Sequence, residues 1–357
     1  MINSVKTDSI IAANEKLFQL ILYESCKMTG SGLYPLKFKP IYKNYIWGGQ
    51  NLRGMGKEIE NGETVAESWE ISDHGDDMSR VVNGVLRGKT LRDLIEQYGE
   101  DICPETLTGR FPILIKYIDA NRRLSVQVHP DDAYARVHEG PQELGKTECW
   151  YVLEAQPGAE LIVGMKRGVT RESFKEMIEK GNIEEGIANI PVSRGDFVYI
   201  KSGTVHAIME GILICEIQEN SDSTYRLYDW GRVGNDGRPR PLHLEKAMDV
   251  ITFVPEEEYE QFMSGIFIPY DKSLTNHTHE LVRGSFFNID LLTYQSDVRL
   301  EQGNSHFNTI NLVEGMCDLL WPGGSLSLAR GDTVLIPRPV DEYTLKTDNM
   351  KAVRSFL

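Results

Sequence analysis

Four side chains with metal-binding chemistry lie in the middle of the sequence. Gln127 and His129 are two residues apart in a valine-rich run, so in a strand they project from the same face. Glu148 opens the next apolar run, and His206 follows a third one at Phe197–Ile200. Two imidazoles, a carboxylate and an amide oxygen could converge on one divalent metal ion and leave positions open for water or substrate. The alternative is a buried, hydrogen-bonded polar cluster, but the spacing of the set favours a metal site in a barrel.

Length, composition and charge limit the classes of partner. The chain has 357 residues, which suggests two or three compact units. Its 41% hydrophobic and 25% charged residues are ordinary for a soluble globular protein, and no apolar run is long enough to cross a membrane. No signal-peptide pattern is visible. The net charge of −15 disfavours nucleic acid and anionic membranes as partners, so an anionic small substrate would have to meet a local cluster of Lys and Arg.

The cysteines indicate a reducing compartment. They are odd in number and scattered, without a CxxC pair: Cys26, Cys103, Cys149, Cys215 and Cys317. We therefore predict a cytoplasmic protein in which the thiols serve as small core residues.

The first 32 residues form an extension to the folded unit. Residues 9–22 have the apolar spacing of a helix, and the glycine- and serine-containing segment 28–32 predicts a flexible join. The folded unit is expected to begin at Leu36. Initiation at Met28 is the alternative reading of this segment.

The elements that must position the four candidate ligands are mostly strands. From residue 124 to 217, short apolar runs alternate with Gly, Pro and Asn, which predicts an antiparallel sandwich or barrel. One helical interruption is predicted in this region, at residues 170–180. Further helices are expected at Leu91–Tyr98, capped by Thr90, and at residues 242–250. Residues 255–258 are expected to form a linker.

Some residues have two interpretations at this stage. Lys116 lies in the apolar strand pattern 111–118 and faces away from Ile115 and Tyr117. It is either a lysine at a strand edge or surface, or a site residue. His277 and His279 share one face of a predicted strand close to the linker, and we expect both to be solvated.

A short internal echo predicts two similar barrels. GDTVLI at 331–336 repeats the pattern of GDFVYI at 195–200, and in this register Glu342 falls where His206 stands. We therefore predict a mainly β fold with two cupin-like jelly-roll barrels, a few short helices and a helical N-terminal extension. Residues 33–255 would form the metal-bearing domain, and residues 256–357 a barrel without metal.

The motifs resemble those of the type I mannose-6-phosphate isomerases. The likeness rests on PIYKNYIWGG at 40–49, QVHP at 127–130, KTE at 146–148, GTVHA at 203–207 and SDSTYR at 221–226, and it covers residues 36–357. The chain is similar to the short bacterial members, without a large helical insertion. The resemblance implies a zinc enzyme, with one Zn²⁺ per chain, that interconverts mannose 6-phosphate and fructose 6-phosphate through a cis-enediol.

Carried over residue by residue, the resemblance implies roles for nine side chains. The zinc ligands would be Gln127, His129, Glu148 and His206. The catalytic residues would be Arg226, Lys146 and Glu216, although one extra residue between His206 and Glu216 departs from the family pattern. Ser125 and Lys116 match positions associated with the sugar phosphate.

Other interpretations stay open on the sequence. Arg226 could instead form a surface salt bridge with Asp222 or Asp229. A barrel with this pocket could bind a sugar phosphate without turning it over, or could be an iron-dependent oxygenase, although Gln127 replaces a histidine usual in that class. We expect a monomer or a weak homodimer, with a small sugar phosphate as its partner.

Overall fold

The computed structural model describes residues 32–104, 108–234 and 237–357, and this part of the chain is mainly β. The first eleven strands are β1 (Leu36–Lys39), β2 (Ile41–Lys43), β3 (Glu67–Ile71), β4 (Asp73–His74), β5 (Asp77–Met78), β6 (Arg80–Val81), β7 (Ile113–Ala120), β8 (Val126–Val128), β9 (Glu148–Ala155), β10 (Glu160–Met165) and β11 (Ile187–Pro191).

The second half of the chain continues in the same way. Its strands are β12 (Phe197–Ile200), β13 (His206–Ile208), β14 (Ile212–Glu219), β15 (Tyr225–Tyr228), β16 (His277–Arg283), β17 (Asn288–Tyr294), β18 (Val298–Glu301), β19 (Phe307–Trp321), β20 (Gly324–Ala329), β21 (Thr333–Pro337) and β22 (Glu342–Phe356). The α-helices in the described ranges are α1 (Leu91–Tyr98), α2 (Asp132–His138), α3 (Arg171–Lys180), α4 (Leu244–Val250) and α5 (Tyr259–Ser264). The predicted mainly β fold is confirmed.

Two sheets form the barrel that holds the candidate site. One has the order β12-β9-β14-β7-β3-β2 and the other the order β11-β10-β13-β8-β15. Apolar side chains from both sheets, such as Trp150 and Ile214 from the first and Leu161 and Ile208 from the second, pack in one cluster between them. Burying one face of each sheet against the other is the arrangement that excludes water from both.

The six-stranded sheet is buried on both faces. Alternate residues of a strand point to opposite sides, so Ile115 and Tyr117 of β7 pack with C-terminal residues such as Phe307 and Leu335. Lys116, between them, points into the first barrel. The sheet therefore serves as a common wall, and its inward row of side chains is available for a site.

The C-terminal strands form a third sheet, to which the start of the chain contributes. Its order is β16-β17-β22-β19-β21-β1-β6, with β18 paired to β22 and β20 paired to β19. Strand β1 joins it because Leu36 pairs with Leu335. The division between 33–255 and 256–357 stays a prediction, but the strand ladder crosses it.

Three helices agree with the sequence prediction. Helices α1 and α3 are capped by Thr90 and Thr170, whose hydroxyls accept hydrogen bonds from the backbone N–H three residues later. Helix α4 occupies most of the predicted segment. The predicted helix at residues 9–22 lies outside the described residues.

One expectation about local structure was wrong, and the predicted linker has local structure of its own. Residues 170–180 are not the only helical interruption of the 124–217 region, because Asp131 caps α2 by accepting from the backbone N–H of Tyr134. The segment expected to be a linker contains a 3₁₀ turn at Glu256–Glu258 that leads into α5.

One of the two histidines expected to be solvated is buried. His277 is exposed, but His279 lies against Tyr270 with ring centroids 5.0 Å apart and is only 7% exposed. The expectation was wrong for His279 because this face of β16, which also carries the buried Leu281, is the one turned to the core. The cysteines within the described residues, Cys103, Cys149, Cys215 and Cys317, are buried and free.

Candidate metal centre and substrate cavity

Strand ends bring three of the predicted ligands together. His129 follows the last residue of β8, while Glu148 and His206 are the first residues of β9 and β13. All three are at least 99% buried, and one potential ligand atom from each lies within 4.8 Å of the others. In the described residues, this is the one group of three or more His, Cys, Asp or Glu side chains that could hold a metal ion.

The backbone fixes the approach of the two histidines. Pro130 ends β8 because it has no N–H for the strand ladder. Gly203, in the turn before His206, donates its N–H to the carbonyl oxygen of His129 at 2.9 Å. Its φ of 83° is in the left-handed region, and a Cβ there would lie 2.4 Å from Thr252 Oγ1. Glycine is therefore required where the chain turns into β13.

Both imidazoles turn the same nitrogen toward Glu148. His129 Nδ1 lies 2.8 Å from the carbonyl oxygen of Ser223, and His206 Nδ1 lies 2.8 Å from that of Thr204. A carbonyl can only accept, so the proton is on Nδ1 and the Nε2 lone pair points inward. His129 Nε2 is 3.5 Å from Glu148 Oε2, and His206 Nε2 is 3.3 Å from Glu148 Oε1. This orientation is the one found in metal-binding histidines.

The electrostatics of the group fit a bound cation. Burial lowers the pKa of His206 to about 4 and holds that of His129 well below its usual value, so both rings are neutral. Burial also raises the pKa of Glu148 to about 7, despite the opposing effect of Lys146. Glu148 Oε1 is buried and receives no hydrogen bond within the described residues. A divalent ion would satisfy this oxygen and favour the ionised carboxylate.

The fourth predicted ligand lies next to this group. Gln127 pairs with His206 across the β8–β13 ladder, and its Nε2 lies 3.3 Å from His206 Nε2. Its Oε1 lies 3.4 Å from Ser125 Oγ. A half-turn of the amide about Cγ–Cδ would bring the oxygen toward the three other donors. The role of Gln127 as a ligand stays a prediction.

Lys146 is held beside His129, Glu148 and His206, which are called the metal group below. Its backbone N–H donates to the carbonyl of Pro130 at 3.0 Å, and its Nζ lies 2.6 Å from Glu148 Oε2 and 3.3 Å from His129 Nε2. Burial alone would lower the pKa of this amine, but the carboxylates of Glu148 and Glu216 outweigh it and raise the pKa above its usual value. Lys146 is therefore an ammonium group in the metal-free protein.

A row of charged groups crosses the six-stranded sheet beside the metal group. Lys116 is paired with Glu216 of β14 in the ladder, and its Nζ lies 3.3 Å from Glu216 Oε2 and 3.9 Å from Glu67 Oε2. Burial would raise the pKa of Glu216, but Lys146 and Lys116 lower it to about 2. Lys116 is 6% exposed, which excludes the strand-edge or surface interpretation.

Tryptophans complete this row and introduce a residue that the sequence analysis missed. Trp150 Nε1 donates to Glu216 at 3.0 Å, and Trp69 Nε1 donates to Glu67 at 2.8 Å. Glu67 lies in the fully buried strand β3. There was no clear signal for Glu67 in the sequence, because β3 has the sequence ESWEI and is not an apolar run in which one charged residue would stand out.

Arg226 approaches the group from the opposite sheet. It pairs with Gln127 across the β8–β15 ladder, so His206, Gln127 and Arg226 form one row across three adjacent strands. Its Nε donates to Ser125 Oγ at 3.3 Å and one Nη to the carbonyl of Pro241 at 2.9 Å. No salt bridge joins it to the predicted carboxylates within the described residues. Asp229 instead binds Arg232 and Arg240.

A cavity of about 450 Å³ lies between the two sheets, beside the His129–Glu148–His206 group, and two of its lining residues, Gln127 and Lys146, contact that group. Six of the predicted site residues contribute to its wall: Lys116, Ser125, Gln127, Lys146, Glu216 and Arg226. Arg240, which the sequence analysis did not single out, lines it as well. The arrangement brings acid–base groups and two guanidinium groups into one cavity, with a possible cation site directly beside it.

The two-sheet barrel with its His–Glu–His group places the chain in the cupin class of β proteins. Residues 35–157 match the family described as phosphomannose isomerase type I, catalytic domain. The chain is 38% identical over 314 residues to the mannose-6-phosphate isomerase ManA of Bacillus subtilis (strain 168), covering 87% of this chain and 96% of that protein. It is 37% identical over 318 residues to the mannose-6-phosphate isomerase of Streptococcus mutans, with 88% and 96% covered.

A solved structure gives the same result. The crystal structure of the mannose 6-phosphate isomerase from Bacillus subtilis matches with a TM-score of 0.79 and 32% identity, covering 91% of this chain and 100% of that one. The chain therefore belongs to the type I mannose-6-phosphate isomerase family, as the motifs predicted.

Proposed function

We propose that this protein is a zinc-dependent isomerase that interconverts mannose 6-phosphate and fructose 6-phosphate. The observation that carries the proposal is the buried His129–Glu148–His206 group, with an unsatisfied carboxylate oxygen, next to a cavity that Arg226 lines. Family membership supports the substrate. Two neutral nitrogens and a carboxylate suit zinc, with Gln127 as the proposed fourth ligand and one ion per chain.

The chemistry requires charge stabilisation more than a strong nucleophile. Aldose–ketose isomerisation moves a proton between C1 and C2, and negative charge develops on O1 and O2. When bound, the metal ion supplies Lewis-acid polarisation of the sugar carbonyl. Arg226 is always ionised and lies in the same row as Gln127 and His206, which supports a role for it in stabilising the enediolate.

The remaining charged groups have complementary roles. We propose that the ammonium group of Lys146, beside Glu148, donates a hydrogen bond to a sugar oxygen close to the metal group. Glu216, kept as a carboxylate by a pKa of about 2, accepts hydrogen bonds from the sugar and holds Lys116 in place. Ser125 and Lys116 line the cavity and contact the substrate.

Solvent isotope exchange tests the proposal directly. Zinc-loaded protein is incubated with mannose 6-phosphate in D₂O, and the sugars are examined by NMR. Conversion through an enediol predicts fructose 6-phosphate with deuterium at C1. Phosphate-dependent binding without exchange would indicate a non-catalytic sugar-binding barrel. Stoichiometric iron with substrate-dependent oxygen uptake would indicate an oxygenase.

We infer the cellular setting and the class of partner from the cysteines and the charge of the sequence. No helix in the described ranges is long and apolar enough to span a membrane. The acidic net charge of −15 disfavours nucleic acid and anionic lipid as partners. We propose a cytoplasmic enzyme whose partner is a sugar phosphate, and a monomer or weak homodimer remains the prediction.

A further inference from the structure

The end of the cavity next to the metal group, called the deep end below, contains two lysines, and both form ion pairs with carboxylates. Lys116 lies 3.3 Å from Glu216 and 3.9 Å from Glu67, while Lys146 lies 2.6 Å from Glu148. Two lysines and three glutamates leave this end with a net charge of −1 before a metal binds. A divalent ion held by His129, Glu148 and His206 would balance this charge and would act on the reacting oxygens of the sugar. The deep end therefore has no cation to spare for a phosphate dianion.

The other end of the cavity has the opposite balance. Arg232 and Arg240 bind a single carboxylate, Asp229, and Arg226 is close enough to interact electrostatically with all three, so the group has a net charge of +2. Burial and the neighbouring charge of Arg240 lower the pKa of Arg226, as expected where positive charge is not fully compensated. This sum matches the charge of a phosphate monoester dianion.

One other carboxylate lines the cavity and is neutralised locally. Asp222 Oδ2 lies 3.3 Å from His74 Nε2, and this contact raises the pKa of His74. When His74 is protonated, the pair is neutral and does not offset the positive charge around Asp229. At higher pH, His74 is neutral, and the negative charge of Asp222 then reduces the net positive charge at this end of the cavity.

Arg240 and Arg232 both bind Asp229, but only Arg240 also lines the cavity. Arg240 Nε donates to Asp229 Oδ2 at 2.8 Å and its Nη2 donates to Oδ1, so one edge of the guanidinium is held. Its Nη1 has no hydrogen-bond acceptor within the described residues, and its face lies 5.1 Å from the ring of Trp47. Arg232 donates hydrogen bonds to Asp229 and to the carbonyl oxygen of Arg123, and it does not line the cavity.

We propose that Arg240, oriented by Asp229, binds the phosphate group of the sugar substrate. This inference rests on the proposed function for the identity of the sugar phosphate. Adjacent strands are about 4.8 Å apart, so the row from His206 through Gln127 places the Cα of Arg226 about 10 Å from that of His206. An open-chain sugar would run along this row, with its reacting carbons at the metal group and its phosphate at Arg240.

The test measures binding to zinc-loaded protein with a ligand that cannot react. Mannitol 1-phosphate and mannitol are titrated by calorimetry into wild type, Arg240→Gln and the matched control Arg232→Gln. We expect a phosphate-dependent affinity that falls about tenfold to a hundredfold in Arg240→Gln, since charge-assisted hydrogen bonds to phosphate are lost. Arg232→Gln removes the same charge from the same aspartate and should change the affinity by less than about threefold.

A second variant and a second readout separate binding from folding. Arg240→Lys keeps the charge and the stem over Trp47 but loses the planar fork, so it should retain an intermediate affinity. It replaces the glutamine variant if that variant does not fold or loads less zinc than wild type. Equal losses in Arg240→Gln and Arg232→Gln, or wild-type affinity in Arg240→Gln or Arg240→Lys, would overturn the assignment.

The phosphate site and the isomerase activity can fail independently, and the two failures give different results. Arg240-dependent binding of mannitol 1-phosphate in a protein that does not isomerise mannose 6-phosphate would keep the phosphate site and reject the isomerase. Isomerisation by wild type with unchanged phosphate binding in Arg240→Gln would keep the isomerase and reject the phosphate site.

Discussion

Replacing His206 with alanine is expected to remove most of the stabilisation of the folded protein by zinc. The ring is 1% exposed, its Nδ1 is held by Thr204, and its Nε2 lies 3.3 Å from Glu148 Oε1. Loss of a group that only orients a ligand lowers metal affinity about 10- to 100-fold, so loss of the ligand itself should lower it by at least about a hundredfold.

The magnitude follows from binding linkage. Zinc at 100 times its dissociation constant stabilises the folded wild type by about 2.7 kcal/mol. With a hundredfold weaker site, the same zinc concentration gives only about 0.4 kcal/mol. The metal-free variant should also be less stable, because removing a buried ring leaves a cavity. The zinc-induced increment, and not the absolute stability, is therefore the quantity to compare.

The assay combines thermal or denaturant unfolding, with chelator and with zinc, and metal content by mass spectrometry. His138→Ala is the matched control, since it removes an exposed imidazole that stacks on Tyr134 outside the metal group. The control should keep the full increment and wild-type turnover. Stoichiometric zinc and an undiminished increment in His206→Ala would refute the metal site as described.

Two other predictions test the surrounding charges. Arg226→Ala should lower kcat by about a hundredfold or more with a smaller change in KM and unchanged zinc content, and Arg226→Lys should recover part; a rise in KM at constant kcat would instead assign Arg226 to ground-state binding. Burial raises the pKa of Glu219 from 4.5 to about 7, so its contribution to stability is complete below pH 4.5 and is lost as the pH rises through 7. Glu219→Gln should therefore gain about 1 to 3 kcal/mol relative to wild type between pH 5 and pH 8 in urea unfolding, and a pH-independent difference would contradict this.

Local sequence patterns were enough to predict the metal group and several helices. Two-residue alternation placed Gln127 and His129 together, and threonines at 90 and 170 marked the starts of α1 and α3. These features depend on neighbours a few residues away. Asp131 offered the same kind of signal for α2, but the sequence analysis did not use it.

Features set by distant pairing could not be read from the sequence. The sequence did not show that Lys116 faces the cavity. Both faces of β7 are buried, one of them by C-terminal residues, so the alternation of apolar residues along the strand could not tell the two faces apart. Strand β1 pairs with β21 across about three hundred residues. Arg240 reaches the cavity through its contact with Asp229, and no spacing rule connects it to His129 or His206.

Metal-dependent turnover of mannose 6-phosphate tests the central claim most directly. Protein stripped with chelator is assayed for conversion to fructose 6-phosphate in a coupled reaction, and zinc is then titrated back. The buried His129–Glu148–His206 group predicts activity at background without metal and recovery that saturates at one zinc per chain. Full turnover by protein shown to be metal-free by mass spectrometry would contradict the account.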